Sequence, residues 1–215
     1  MKITKIGHCC LLIEHKEKRI LTDPGAWSIG QNQIMNIDLI LITHEHPDHL
    51  HIESLETVLK NNPKAKIITN TAVGKILSEK SIAFKILEDG QNINFEDVLL
   101  EAFGDKHEEI YEKFGMVQNT GYFIDNILFY PGDAFTNPGK EVGILACPIS
   151  GPWTTFKTAV QYALNIKPKI VFPVHDGAII PDRPGPLYRL PPQILEAKNI
   201  KFIPLKEGEN FELHF

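Results

Sequence analysis

The stretch THEHPDHL at residues 43–50 carries the side chains of this sequence that are best suited to bind metal. It places His44, His46, Asp48 and His49 within six positions of a chain that has nine histidines in all. Imidazole nitrogens combined with a carboxylate suit zinc, and also iron or manganese. The two histidines that stand two positions apart can point the same way from an extended segment, and the last two residues come as the chain turns toward a helix. The spacing therefore favours two adjacent metal ions over one.

Two other interpretations of this stretch are a zincin site and a histidine-rich surface loop. The zincin pattern H-E-x-x-H is not met, because Asp48 stands where the second histidine should be and Pro47 would break the helix that the motif needs. A histidine-rich surface loop is the plain alternative, and a chance occurrence of this pattern is rare.

The cluster follows a segment that reads as a buried strand. DLILIT at residues 38–43 is a continuous apolar run, as expected of a strand covered on both faces. HIESLETVLKNN at residues 51–62 then has helical spacing of its apolar positions. The cluster is thus predicted at the carboxyl end of a strand, where sites form in α/β proteins.

Three further candidate ligands each come just after an apolar strand. VLLEAFGDKH leads to His107, NILFYPGD leads to Asp133, and KIVFPVH leads to His175. Taken singly, each could be a cap or a satisfied polar group. Since all three fall at the same end of their strands as the first cluster, we expect them to meet it.

The rest of the chain repeats one theme. Strand meanders followed by β-α-β units occupy both halves, with no linker and no low-complexity tract. We therefore interpret residues 1–215 as a single domain of two similar halves, about 1–105 and 106–215. Two irregular stretches, 104–120 and 176–192, are of a length often associated with function.

Composition narrows the class of protein. The net charge of −5 argues against nucleic acid as the main partner, since phosphate binding needs a basic face. No apolar run approaches the roughly 20 residues that span a bilayer, and the N-terminal segment reads as a strand. Three cysteines, two of them adjacent, give no disulfide framework and favour a cytoplasmic location.

The ordered motifs resemble the metallo-β-lactamase superfamily of metal-dependent hydrolases. The matching segments span nearly the whole chain and are LTDPG (21–25), THEHPDHL (43–50), His107, PGD (131–133) and PVH (173–175). The resemblance implies an α+β fold, a four-layer αββα sandwich with the site along one edge. IGHCCLLIE near the start resembles a sub-group that includes ascorbate-6-phosphate lactonase, the phospholipase D acting on N-acyl-phosphatidylethanolamine, and small uncharacterised hydrolases.

The resemblance also implies a ligand set for two divalent ions, zinc first, with manganese or iron as alternatives. One ion would be held by His44, His46 and His107, the other by Asp48, His49 and His175, with Asp133 bridging. A water between the ions would ionise near neutral pH and attack the substrate, and Asp48, as the catalytic residue, would orient that water. Asp23 would hold a ligand histidine by a hydrogen bond, or else only cap a turn before Pro24.

Some residues keep two interpretations. The context of His107 departs from the expected pattern, and Asp105 is the nearest substitute if His107 points elsewhere. His8 could reach the site behind the ligands, or be a buried, hydrogen-bonded histidine. Cys9 and Cys10 lie on a strand and should point to opposite faces, so core packing is expected for them.

The predicted function is that of a hydrolase with a metal-bridged hydroxide in a dinuclear site. A small phosphorylated lactone or a phosphodiester is the expected substrate, from the sub-group resemblance alone, and an anionic small molecule is the expected partner. The alternative is a metal-binding protein without turnover, such as a sensor or a structural subunit. No membrane span is expected, and the sequence does not indicate an oligomeric state.

Overall fold

Two seven-stranded β-sheets packed face to face form the centre of the computed structural model, which describes residues 1–180, 183 and 185–213. The first sheet contains β1 (Lys2–Gly7), β2 (Cys10–His15), β3 (Lys18–Thr22), β4 (Leu39–Leu41), β5 (Lys66–Thr69), β6 (Lys85–Ile86) and β14 (Asn210–Glu212). The second contains β7 (Asn92–Phe95), β8 (Val98–Phe103), β9 (Gly121–Ile124), β10 (Leu128–Tyr130), β11 (Ile144–Pro148), β12 (Ile170–Val174) and β13 (Lys201–Phe202).

Both sheets combine a meander with parallel strands. The first has the order β14-β1-β2-β3-β4-β5-β6, antiparallel up to β3 and parallel from β3 to β6. The second has the order β13-β12-β11-β10-β9-β8-β7, antiparallel from β7 to β10 and parallel from β10 to β13. The parallel strands end at one edge in each sheet, which is where their following loops can combine side chains.

Four α-helices among the described residues cover the outer faces of the two sheets. They are α1 (Ile52–Asn61), α2 (Thr71–Glu79), α3 (Phe156–Ile166) and α4 (Pro186–Leu195). Leu55 of α1 and Leu77 of α2 pack with Ile40 against the first sheet, and Ala163 of α3 packs with Leu145 against the second. The Asn70 side chain caps α2 by accepting from the backbone N–H of Val73, 3.1 Å away.

The strand period of two residues explains the layering. Leu39 and Leu41 of β4 point into the core between the sheets, whereas Ile40 points to the helices. Tyr122 and Tyr130 of the second sheet fill the same central core. The fold is therefore the predicted αββα sandwich, and since both sheets share this core we infer that the chain forms one domain.

Two elements differ from the sequence-based expectation. The change of sheet falls between Ile86 and Asn92, not at about residue 105, because the hairpin β7–β8 pairs with β9 of the second sheet. Helix α4 begins at Pro186, inside the stretch 176–192 that we expected to be irregular, and proline at a first helical position is favourable. Residues 181, 182 and 184 of that stretch lie outside the described residues. No described helix has the length and apolar character needed to cross a membrane.

Candidate metal centre

Five strands end at one edge of the sandwich, and the residues that follow them meet there. These strands and residues are β3 with Asp23, β4 with residues 43–49, β8 with His107, β10 with Asp133, and β12 with His175. β3 and β4 belong to the first sheet and the other three to the second. The site is therefore assembled from both sheets.

The donor atoms fall into two groups, each with all four atoms within 4.8 Å of one another. The first donor group is His44, His46, His107 and Asp133. The second donor group is His8, Cys9, His49 and His175. Every member is buried except His46, which is half-buried.

The carboxylate of Asp133 connects the two groups. Its Oδ2 atom lies 3.3 Å from Nε2 of His107 in the first group and 2.8 Å from Nε2 of His175 in the second. Its Oδ1 atom lies 3.2 Å from Nε2 of His49. Asp48 borders the second group, with Oδ2 3.5 Å from Nε2 of His175. One carboxylate thus stands between the groups and another beside one of them.

The buried carboxylate of Asp23 orients histidines of both groups. Its Oδ2 accepts from Nδ1 of His49 at 2.7 Å, from the hydroxyl of Thr43 at 2.8 Å and from the hydroxyl of Tyr130 at 2.5 Å. Because Thr43 donates its hydroxyl proton to Asp23, its oxygen accepts from Nδ1 of His44 at 2.9 Å. Nδ1 therefore carries the proton when either imidazole is neutral, which makes Nε2 the nitrogen that can bind a metal.

His107 has the same tautomer by a different contact. Its Nδ1 donates to the backbone carbonyl of Glu108 at 2.5 Å, which leaves Nε2 as an acceptor. Carboxylate and carbonyl partners of this kind are typical of histidines that bind metal.

The free lone pairs provide a test of whether a metal fits. Within the described part of the chain, Nε2 of His44, His49 and His107 and Oδ1 of Asp133 are buried and have no hydrogen-bond partner. An imidazole lone pair that faces a carboxylate oxygen, as His49 faces Asp133 at 3.2 Å, is repulsive unless a proton or a cation lies between them. The donor set therefore fits divalent metal ions.

The pKa shifts of the site residues also indicate that the site favours a bound cation. Burial raises the pKa of Asp133, but the charges of His49 and His175 and hydrogen bonds outweigh it, so the pKa lies well below its usual value. Burial together with the neighbouring His49 lowers the pKa of His44 well below its usual value, so this imidazole is neutral. Burial lowers the pKa of His175, but the charge of Asp133 outweighs it and holds that pKa well above its usual value. The site attracts positive charge.

A glycine allows the loop that carries Asp23 to pack under the cluster. A Cβ atom on Gly25 would lie 1.8 Å from the carbonyl oxygen of Asp48 and 2.6 Å from the backbone nitrogen of His49. Ala26 N–H donates to the carbonyl of Pro47 at 2.8 Å and fastens the two segments together. The glycine of LTDPG is thus required by close backbone contact.

Three non-glycine residues of the site have left-handed backbone conformations. The φ angles are 49° for His8, 37° for Asp23 and 56° for His175. Such conformations cost on the order of 1 kcal/mol or more each, and they persist where the surroundings over-determine them. His175 is held by its backbone N–H, which donates to the carbonyl of His8 at 3.3 Å.

The structure brings together all nine residues that the sequence singled out for the site. They are His8, Asp23, His44, His46, Asp48, His49, His107, Asp133 and His175. His107 points into the first donor group, whereas Asp105, the considered substitute, is exposed. Their roles as ligands stay predictions.

Sequence reasoning missed one residue of the site, and for a second it left a pocket wall and packing equally open. Cys9, expected in the core, also places its sulfur in the second donor group. The ring of Trp153 lies 5.6 Å from that of His107 and 5.4 Å from that of His175, and so contacts one histidine of each group. The signal for Cys9 was its position beside His8. Trp153 could be placed in a loop after a strand, but the sequence did not separate binding from packing there.

Comparisons with known proteins agree with this architecture. The family model described as "Beta-lactamase superfamily domain" matches residues 2–175. Protein Rv0786c of Mycobacterium tuberculosis is 33% identical over 193 residues, which cover 87% of this chain and 90% of that protein. The UPF0173 metal-dependent hydrolase NEQ378 of Nanoarchaeum equitans is 28% identical, over 99% of this chain and 100% of its relative.

A solved structure shares the fold over the whole chain. Igni18, described as a metallo hydrolase of Ignicoccus hospitalis, superposes with a TM-score of 0.79 at 22% identity, covering 99% of both chains. Together with the family match, these findings show that the chain belongs to the β-lactamase superfamily, the superfamily of metal-dependent hydrolases that its motifs resemble.

Proposed function

We propose that the chain is a metal-dependent hydrolase with a dinuclear centre that cleaves a small phosphorylated lactone or a phosphodiester. The single observation that carries the proposal is the position of Asp133, whose two oxygens face histidines of both donor groups. The hydrolase name of a relative that covers the whole chain supports the reaction class.

The first ion would be held by His44, His46 and His107, and the second by Asp48, His49 and His175, with Asp133 between them. Zinc suits this donor set best, because most of its atoms are imidazole nitrogens. Divalent ions bound there would acidify a water molecule and stabilise the negative charge that builds up on the substrate.

The protein side chains would orient the reactants. Nδ1 of His8 accepts from the backbone N–H of Gly177 at 3.0 Å, so Nε2 carries the proton and donates to Oδ2 of Asp48 at 3.1 Å. This contact fixes one oxygen of Asp48 and leaves the other to accept a hydrogen bond from the attacking water and so orient it. Burial raises the pKa of Asp48, but hydrogen bonds from His175 and His8 lower it below its usual value, so the group is ionised.

Two tryptophans border the site on the side from which a substrate would approach. Trp27 is half exposed, with its ring 4.7 Å from that of His8. Trp153 lies against His107 and His175. Aromatic rings of this kind would exclude water around a small bound molecule.

The test is the metal content of protein purified without chelator, for the wild type, Asp133→Ala and Asp105→Ala. We expect about two ions per chain in the wild type and in the exposed control Asp105→Ala, and one or none in Asp133→Ala. One ion or none in all three proteins, not raised by added zinc or manganese, would contradict the dinuclear centre.

A substrate screen completes the test. We expect metal-dependent cleavage of a phosphodiester or a phosphorylated lactone by the loaded wild type. Two bound ions without cleavage of any phosphodiester, lactone or thioester would favour the alternative of a non-catalytic metal-binding protein. Since all three cysteines are buried and unpaired, we also propose that the protein works in a reducing compartment, the cytoplasm.

A further inference from the structure

We propose that the sulfur of Cys9 is a ligand of the second metal ion, together with Asp48, His49 and His175. The inference rests on the dinuclear centre proposed above and adds a soft donor to it. It replaces core packing, which the sequence predicted as the whole role of this side chain.

The position of Cys9 follows from the turn between the first two strands. Gly7 pairs with Cys10 across β1 and β2, so His8 and Cys9 form the two-residue connection that faces the site. Cys9 is 1% exposed, and its sulfur lies within 4.8 Å of a ring nitrogen of His49 and of His175. The sulfur is therefore close enough to both histidines to bind the same metal ion as they do.

His8 belongs to the same donor group, but its hydrogen bonds remove it as a ligand. Nδ1 accepts from the backbone N–H of Gly177, and Nε2 donates to Asp48. Both ring nitrogens are therefore used within the protein. Of the two residues in the turn between β1 and β2, Cys9 is therefore the one that can bind a metal ion.

A second observation, independent of the cysteine, also indicates a ligand. Nε2 of His49 is fully buried and, among the described residues, has no hydrogen-bond partner. This nitrogen lies 4.0 Å from Oδ2 of Asp48, and the same oxygen lies 3.5 Å from Nε2 of His175. With the sulfur of Cys9 these atoms would offer the second ion four donors besides the carboxylate of Asp133, which it would share with the first ion.

A thiolate in this position would set the choice of metal. Sulfur is a soft donor that favours zinc and cobalt over manganese, whereas the first donor group offers only nitrogen and oxygen. When the ion binds, the thiol loses its proton to solvent and the sulfur–metal bond forms. The two sites would therefore prefer different metals, and the second site would bind zinc more strongly than the first site does.

The experiment uses cobalt as a spectroscopic probe. The wild type, Cys9→Ser and Cys10→Ser are loaded with cobalt, the metal content is measured, and the ultraviolet thiolate-to-cobalt charge-transfer band is recorded. Cys10 is the matched control, because it is adjacent and equally buried but its side chain packs with Leu21 and Ile40 on the other face of the sheet. We expect the band in the wild type and in Cys10→Ser, and its loss in Cys9→Ser.

Metal affinity gives a second readout. We expect Cys9→Ser to bind the second zinc ion about 10-fold or more weakly, and to lose most of its preference for zinc over manganese there, because removing even an indirect partner of a ligand typically costs this much. Cys10→Ser should keep wild-type values.

The experiment distinguishes a failure of the Cys9 proposal from a failure of the dinuclear centre. Two cobalt ions per wild-type chain with no charge-transfer band would overturn the role of Cys9 and leave the dinuclear centre standing. A band that persists unchanged in Cys9→Ser would also overturn it. Fewer than two ions in the wild type at saturating cobalt would overturn both proposals together. The wild-type spectrum keeps the proposal testable even if a cysteine variant does not fold.

Discussion

Oδ2 of Asp23 accepts a hydrogen bond from Nδ1 of His49 over 2.7 Å, with both side chains fully buried. The same oxygen accepts from Thr43, which in turn accepts from His44. A single carboxylate thus sets the tautomers of one histidine in each donor group. Its removal should affect both ions, whereas changes further along the chain of hydrogen bonds should affect one.

Asp23→Asn should weaken the binding of both metal ions by about 10- to 100-fold, because the amide cannot hold Thr43 and His49 as the carboxylate does. Chelator competition measures the affinities. Asp38→Asn is the matched control, since Asp38 lies just before β4 and its Oδ2 accepts from Arg19 N–H at 2.8 Å, away from the site. Equal affinities in the wild type and Asp23→Asn would show that the ligands need no such support.

Thr43→Val should weaken one ion selectively. Valine keeps the volume of threonine but removes the hydroxyl between Asp23 and His44, so we expect a loss of about 10-fold in the first donor group and little change in the second. A metal titration resolved into two steps provides the measurement. Thr69→Val, equally buried at the end of the neighbouring β5, should bind both ions as the wild type does.

His8→Asn should lower kcat without removing metal. The histidine fixes Asp48 but has no free ring nitrogen for a metal, so two ions should remain while turnover of a chromogenic phosphodiester falls about 10-fold or more. His15→Asn, which alters a histidine paired with Asp125 outside both donor groups, is the control. Loss of an ion in His8→Asn would instead show that metal binding, and not only turnover, depends on the support that this histidine gives to Asp48.

Asp125→Asn should reduce stability at neutral pH but not in acid. Partial burial raises the pKa of Asp125, but hydrogen bonds from His15 at 2.6 Å and from Lys16 at 3.0 Å outweigh it and lower the pKa below its usual value. A carboxyl with a depressed folded-state pKa stabilises the fold above its unfolded value of about 4 and loses this contribution as the pH falls through the folded value.

The variant should therefore be less stable than the wild type by about 1 kcal/mol at pH 7. The difference should shrink below about pH 4. Thermal or urea unfolding at several pH values measures it, with Asp105→Asn as an exposed aspartate control. A stability difference that is independent of pH would assign the effect to packing.

The fold and most of the site could be predicted because they depend on local signals. Apolar runs located the strands, and a polar residue after each run located His107, Asp133 and His175 at one edge, whereas the resemblance of LTDPG indicated Asp23. The cluster at residues 44–49 needed no long-range information, because its spacing follows from one strand end.

The remaining features depend on contacts between distant segments. Cys9 has the pattern of a strand residue, and only the docking of the second sheet brings His175 beside it. The hairpin β7–β8 pairs with β9 of the second sheet. The alternation of apolar residues along the hairpin does not indicate which of the two sheets it joins. The two tautomers set by Asp23 follow from hydrogen bonds that join residues 20 or more positions apart.

The supply of donors by both sheets has a consequence for the way the molecule assembles and opens. His44 and His49 come from the first sheet, and His107, Asp133 and His175 from the second, so neither sheet alone can complete either ion's environment. Bound ions would hold the two sheets together at this edge. These contacts would form late in folding, because within each donor group the donors from the two sheets lie more than 60 positions apart in the sequence. The rate of metal exchange would then report how often the two sheets separate there, and chelation should speed the opening of this edge before it affects the opposite end of the sandwich.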